Sequence, residues 1–231
     1  MGGVPRLEVP EWQTARHAGV LIEGWFVRHG RDFPWRSWTD TYRLAIAEVM
    51  LQRTRAPSVA AFLPSFFDRY PDWQSLINSD ESSIADILRP MGLHARRAQA
   101  LRALAVSVVT EPDLDWELRP GVGQYISRAL RVRLDGTSEA MVDSNFVRLV
   151  HRVFGGVWRA DYRYDSRLQA LALDLVGAAT SSEAVNWGVL DLGASICTPR
   201  APRCPVCPLR TICAAATSPD GPLLHAPAAA N

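Results

Sequence analysis

Apolar residues recur at helical spacing through most of this 231-residue chain, and no run alternates with the period of two that a half-buried strand requires. That pattern confines the chain to a nearly all-α fold. Residue chemistry places the elements. A first helix covers roughly residues 14 to 29. Asp40 stands where an N-cap belongs, ahead of Leu44, Ile46, Val49 and Met50, with Glu48 inside the same apolar segment. Pro57 opens a helix reaching Tyr70, Asp80 precedes a short one around 82 to 88, and Gly92 breaks the chain before the amphipathic run His94 to Val109, which carries Arg96, Arg97 and Arg102. Another helix starts after Gly121-Val122-Gly123 and runs to about Leu134. Asp143 can cap a helix through Phe154 that Gly155-Gly156 stops, and two more helices lie near 166 to 178 and 182 to 193.

Composition removes several function classes. With 48% apolar and 21% charged residues the chain can bury a core, so disorder is excluded for most of its length. A net charge of +1 means that any attraction to a polyanion must come from local clustering. No stretch approaches the ~20 apolar residues of a membrane span, and the start lacks a basic flank followed by an apolar run, so the expectation is a cytoplasmic protein without a membrane partner. All 25 basic residues are arginine. Without lysine, no mechanism that uses a lysine amine as nucleophile can operate.

The four cysteines, Cys197, Cys204, Cys207 and Cys213, fall in one short window, whereas a disulfide framework spreads its cysteines to close larger loops. Four thiolates can hold either a tetrahedral zinc or a [4Fe-4S] cluster; structural zinc sites usually pair two short knuckles, and here one short Cys204-x2-Cys207 knuckle has wider gaps on both sides. Gly121, Val122 and Gly123 precede a helix, where glycines admit close approach of a phosphate and outward-pointing amides donate to it. From Arg119 to Arg159 there are seven arginines against three acids, an excess that fits a phosphate-tracking surface. Asp143 reads as a cap carboxylate. Glu48 reads either as a solvated acid paired with Arg43 or Arg55, or as a desolvated acid with a raised pKa suited to proton transfer.

Taken together, Arg31-Asp32-Phe33-Pro34-Trp35-Arg36, the Glu48 segment, Met91-Gly92-Leu93-His94, the Gly121–Gly123 hairpin, the Asp143 segment and the cysteine loop resemble the endonuclease III and MutY branch of the helix-hairpin-helix DNA glycosylases, with most likeness to mismatch-specific thymine or uracil glycosylases. The resemblance covers about residues 15 to 213. It departs from the family at Arg119, where leucine is usual, and in the short link before the hairpin, which leaves little room for the motif's first helix.

The resemblance implies two all-α domains with a DNA cleft between them. One is a helical barrel over 38–150; the other combines 1–37 with 151–213 and a [4Fe-4S] loop; 214–231 form a flexible tail. It implies a monomer acting on double-stranded DNA that contains a mismatched or damaged base. Asp143 would stabilise the positive sugar, Glu48 would assist the leaving base or orient water, and Tyr125, where bifunctional members have lysine, would line the pocket. Gln52, Arg53 and Leu93 would fill the gap in the duplex, Arg200 and Arg203 would face phosphates, and the four cysteines would ligate the cluster. The activity implied is monofunctional removal of thymine or uracil opposite guanine in base excision repair. An adenine glycosylase without the usual lesion-reading domain, expected because only eighteen residues follow Cys213, and a catalytically silent DNA-binding module are the alternatives.

Overall fold

The structure, a computed structural model, describes residues 10–155 and 161–217. Among them there is no strand. The helices are α1 (Glu11–His29), α2 (Thr41–Leu51), α3 (Ala56–Arg69), α4 (Trp73–Ile77), α5 (Glu81–Leu88), α6 (His94–Thr110), α7 (Gln124–Leu134), α8 (Ser144–Phe154), α9 (Ser166–Gly177), α10 (Ser182–Ser195) and α11 (Ala214–Thr217). None is long and apolar enough to cross a membrane. Side-chain caps set many of the starts. Asp40, Asp72, Asp80, Asp143, Asp165 and Ser181 each accept a backbone N–H from the first turn that follows, an interaction worth about 1 kcal/mol apiece. The short helix α4 escapes the periodicity because five residues hold too little of a 3.6-residue pattern.

The chain divides into two compact units, Asp32–Asp135 and Met1–Arg31 with Gly136–Asn231. The boundary differs from the sequence expectation. Residues 136–150, expected in the barrel, belong to the terminal unit, because α8 packs on α9, α10 and α11 and its Phe146 and Val150 lie in that unit's core. The expected tail also begins with structure: Ala214–Thr217 is helical and Ala215 is buried against α8. The remainder of that tail lies outside the described residues.

In the Asp32–Asp135 unit, α2 contacts α3, α6 and α7, while α6 packs on α4 and α5. Ile46, Met50, Phe66, Leu101 and Leu104 are sealed from solvent in its core. In the terminal unit α1 lies against α9 and α10. There the fully buried Asp191 of α10 accepts the backbone N–H of Arg31 at 2.7 Å and its Nε at 2.8 Å, which fixes the end of α1.

Candidate active site

Glu48 sits on α2 between Ala47 and Val49, both buried. Its Oε2 is sealed from solvent and has no hydrogen-bond partner among the described residues. Burial pushes the carboxyl up to about 7, and the Arg36 guanidinium beside it only partly offsets that. The expected alternatives, pairing with Arg43 or Arg55, do not occur: Arg43 lies over the Phe67 ring, 5.2 Å from its centroid, and Arg36 is the cation that Glu48 feels. Arg36 follows Trp35, buried with Phe33 in a stacked pair, so the Phe33–Arg36 loop is anchored by its aromatics and delivers Arg36 to the acid. Sequence reasoning recognised this loop only as a resemblance; nothing in its pattern assigned Arg36 to the site.

The same unit carries the hairpin. Gly121 adopts φ +76°, a left-handed conformation that favours glycine, and Val122 is buried, which anchors the turn while Gly121 and Gly123 stay exposed. Tyr125 is half-buried against the core in the first turn of α7. The motif's first helix is reduced to the single 3-10 turn Trp116–Leu118. Arg119 replaces its rigidity: only 4% exposed, it donates to the carbonyls of Ser107, Glu111, Pro112 and Leu114 and lies over the Trp116 ring. Gln52, Arg53 and Leu93 are all exposed, and the Gln52 side chain reaches the Gly121 carbonyl at 3.3 Å.

In the terminal unit, Asp143 is both cap and candidate catalyst. Its Oδ1 accepts the N–H of Asn145 (2.9 Å) and of Phe146 (2.8 Å), and its Oδ2 accepts Asn145 Nδ2 at 2.6 Å. Burial raises its pKa above the usual carboxylate value, against the pull of these three donors and of Arg148. Tyr162, unmarked in the sequence, lies within reach of that charge: burial first, and Asp143 second, raise its phenol. Asn145 is held in turn by Arg148, whose Nη2 donates to Asn145 Oδ1 and to the Gly193 carbonyl, both at 2.8 Å. Gly193 permits this approach. A Cβ there would stand 2.7 Å from Asn145 Cβ and 2.9 Å from its Oδ1.

Cys197, Cys204, Cys207 and Cys213 line one pocket with Arg152 and Arg210. They form no disulfide, and among the described residues no three His, Cys, Asp or Glu side chains are grouped so as to hold a metal ion. Two arginines of α8 grip the start of the loop. Arg148 Nε donates to the Cys197 carbonyl at 2.8 Å, and Arg152 donates to Cys197 Sγ at 3.2 Å and to the carbonyls of Thr198 and Pro199. Burial, followed by the neighbouring thiols, pushes Cys207 up to about 11, so a thiolate in this pocket needs a cationic partner. Arg200 and Arg203 are exposed on the loop.

Five of the seven arginines between 119 and 159 are engaged within the fold, so most of the excess counted in the sequence does not form an open phosphate surface. Arg119, Arg148 and Arg152 are each at most 6% exposed and spend their donors on internal acceptors. Arg131 bonds Ser127 and pairs with Asp115, and Arg133 donates to the Trp38 carbonyl. Arg159 lies outside the described residues.

Comparison with known proteins identifies the family of the chain. The family model of the HhH-GPD superfamily base excision DNA repair proteins matches residues 46–169. The thymine/uracil-DNA glycosylase of Methanothermobacter thermautotrophicus is 35% identical over 79% of this chain and 86% of its own length. The thymine-DNA glycosylase of Aeropyrum pernix is 32% identical over 84% and 91%. A solved thermostable thymine-DNA glycosylase superposes with a TM-score of 0.80 at 31% identity, covering 88% of this chain and 97% of the other. With a family model spanning more than half its residues and relatives aligned along most of its length, this chain belongs to the HhH-GPD superfamily of base excision DNA repair proteins.

Proposed function

We propose that the protein is a monofunctional DNA glycosylase that hydrolyses the N-glycosidic bond of thymine or uracil opposite guanine and leaves an abasic site. The observation that carries this reading is Glu48, a desolvated acid near pKa 7 with an orphaned oxygen on an otherwise apolar helix. Leaving a carboxyl oxygen buried and unpartnered costs about 1–3 kcal/mol, a cost that a purely structural residue has no reason to carry. A bound base or water supplies the missing partner. The thymine and thymine/uracil specificities of the relatives point to the base.

The base has to leave the stack before its bond can be reached, and a mispaired base leaves more cheaply. As the bond breaks, positive charge grows on the sugar. Asp143, fixed by three N–H donors, supplies a preorganised negative charge for that centre. Glu48 in its protonated form donates to the departing base, and Arg36 beside it stabilises the carboxylate left behind. Tyr125 stands where a lysine would make the enzyme bifunctional; with no lysine in the chain, water takes the sugar carbon. Gly121, Val122 and Gly123 meet the phosphate backbone, and Gln52, Arg53 and Leu93 occupy the space that the base vacates.

The cysteine pocket suits a [4Fe-4S] cluster held by Cys197, Cys204, Cys207 and Cys213. The pocket that all four line, and the single short Cys204-x2-Cys207 knuckle with wider gaps on both sides, support this over a structural zinc, which usually pairs two short knuckles. Held by these four thiolates, of which Cys213 is buried and the others half-buried, a cluster would supply the compensating positive charge and staple the loop that carries Arg200 and Arg203.

The test is incubation with duplexes holding G·T, G·U or adenine opposite 8-oxoguanine, followed by alkali. Strand breaks after alkali on G·T or G·U, none before alkali, and no adduct trapped by borohydride are expected. Activity confined to adenine, breaks without alkali, or a trapped adduct would each overturn part of the reading.

A further inference from the structure

Arg97 lies in the first turn of α6 and is only 4% exposed. Its guanidinium forks between two turns. Nη1 donates to the carbonyls of Met91 (2.7 Å) and Gly92 (3.0 Å), just before α6. Nη2 donates to the Gln52 carbonyl, to Thr54 Oγ1 (2.6 Å) and to the Met50 carbonyl (3.4 Å), in the turn that ends α2. Burying a guanidinium costs several kcal/mol unless its donors are used, and here five acceptors from two separate segments use Nη1 and Nη2, while Nε has no partner among the described residues.

The two turns share a second property. Arg53 (φ 56°) and Leu93 (φ 51°) are the non-glycine residues with positive φ among the described residues, and Arg97 grips the chain on the N-terminal side of each and on both sides of Arg53. A left-handed backbone at such residues costs about 1–3 kcal/mol and persists only where the surroundings over-determine it. Neither side chain repays that by packing: both are exposed, Leu93 at 51%. An apolar leucine held in strain towards solvent by a buried cation stabilises nothing in the fold itself. Gln52, in the same turn, also ties it to the hairpin through the Gly121 carbonyl.

We propose that Arg97 is a positioning residue. It holds the Arg53 and Leu93 turns at a fixed separation so that the two side chains enter the duplex as one rigid pair, and it thereby sets how well the enzyme acts on a paired strand. The inference rests on the glycosylase reading above, and it locates the duplex requirement in a residue that itself touches no DNA.

The test compares wild type, Arg97→Met, Arg97→Lys, Leu93→Ala and the Arg97→Met/Leu93→Ala double variant. Single-turnover excision is measured on uracil opposite guanine and on the same uracil in an unpaired bubble. Since misplacement by about 1 Å costs on the order of 100-fold, Arg97→Met is expected to lose about 100-fold on the duplex and no more than about threefold on the bubble. Arg97→Lys falls between, because an ammonium can hold one turn but cannot fork. The double variant loses no more on the duplex than the worse single variant, as two residues acting through one step must. Equal losses on both substrates, or additive losses in the double variant, would overturn the proposal. If Arg97→Met does not fold, the Arg97→Lys and Leu93→Ala pair carries the same cycle. A wild type that excises uracil from neither substrate refutes the glycosylase reading instead. In that event 2-aminopurine fluorescence opposite the mismatch still reads insertion, and loss of its rise in Arg97→Lys supports the clamp while an unchanged rise removes it.

Discussion

Asp143 and Glu48 are both half-buried acids whose pKa is raised by desolvation, yet their oxygens are partnered differently. Asp143 is answered on both oxygens by three N–H donors at the start of α8, which hold the carboxyl in place and offset part of the burial that raises its pKa. Glu48 has one oxygen that no group among the described residues answers and a pKa near 7. The first environment fixes the orientation of a carboxyl and the second suits a proton that comes and goes. Two acids whose environments differ in this way can divide one reaction between them.

Breaking the Asp143 side should have the largest effect. Asn is as good an N-cap as Asp, so Asp143→Asn keeps α8 started while removing the charge. Excision is expected to fall by roughly 1,000-fold or more, as when a preorganised electrostatic group is lost, with the melting temperature within a few degrees of wild type. A variant that stays active would reduce Asp143 to a cap. Asp143→Ala should add a stability loss of about 1 kcal/mol to the same loss of rate.

Glu48 should behave the other way in stability. Glu48→Gln is expected to lose about 100-fold in single-turnover rate, the usual scale for one proton-transfer group. The fold should become less sensitive to pH. In the unfolded chain the carboxyl titrates near 4.5 and in the fold near 7. Between these values the unfolded chain has released a proton that the folded protein keeps. Stability therefore falls as pH rises through this window, by up to about 3 kcal/mol, and levels off above it. Denaturant titrations of wild type from pH 4 to 8 should show that slope, and Glu48→Gln should flatten it. The wild-type rate should decline above pH 7 as the donor proton is lost; a rate that climbs there would assign Glu48 to activating water instead.

The two acids were also unequally legible. Asp143 announced itself as a cap before a helix, and the cap is there in the structure. The desolvation of Glu48 could be read from its apolar neighbours, but Arg36 could not be foreseen, because it arrives from a loop twelve residues earlier through the packing of Phe33 and Trp35. Charge counting misled most. A guanidinium at the surface and one buried on carbonyls look identical in sequence, and Arg97, Arg119, Arg148 and Arg152 are all of the buried kind. The boundary at Asp135 was equally hidden: whether α8 joins the barrel or the terminal unit depends on which core takes Phe146 and Val150. Helices and caps are local properties and were readable; partners for donors are long-range and were not.

A smaller effect isolates the support behind Asp143 from the acid itself. Gly193 lies on α10, far from Asp143 in sequence, and its missing Cβ makes room for Asn145. In Gly193→Ala the new methyl meets Asn145 Cβ at 2.7 Å, and helix backbone can yield only by tenths of an ångström, so Asn145 must move. The hydrogen bond from Asn145 Nδ2 to Asp143 Oδ2 should lengthen or break while both backbone donors remain. Losing one of three donors costs about 1–3 kcal/mol, so excision should fall by roughly tenfold, well short of Asp143→Asn, with a destabilisation of about 1–3 kcal/mol from overpacking. The slope of stability with pH that belongs to Glu48 should be unchanged, because the three atoms nearest to a Cβ at Gly193 all belong to Asn145 and Arg148 of α8. If that slope changed as well, the two acids would not be prepared independently, and the division of labour drawn between them would fail.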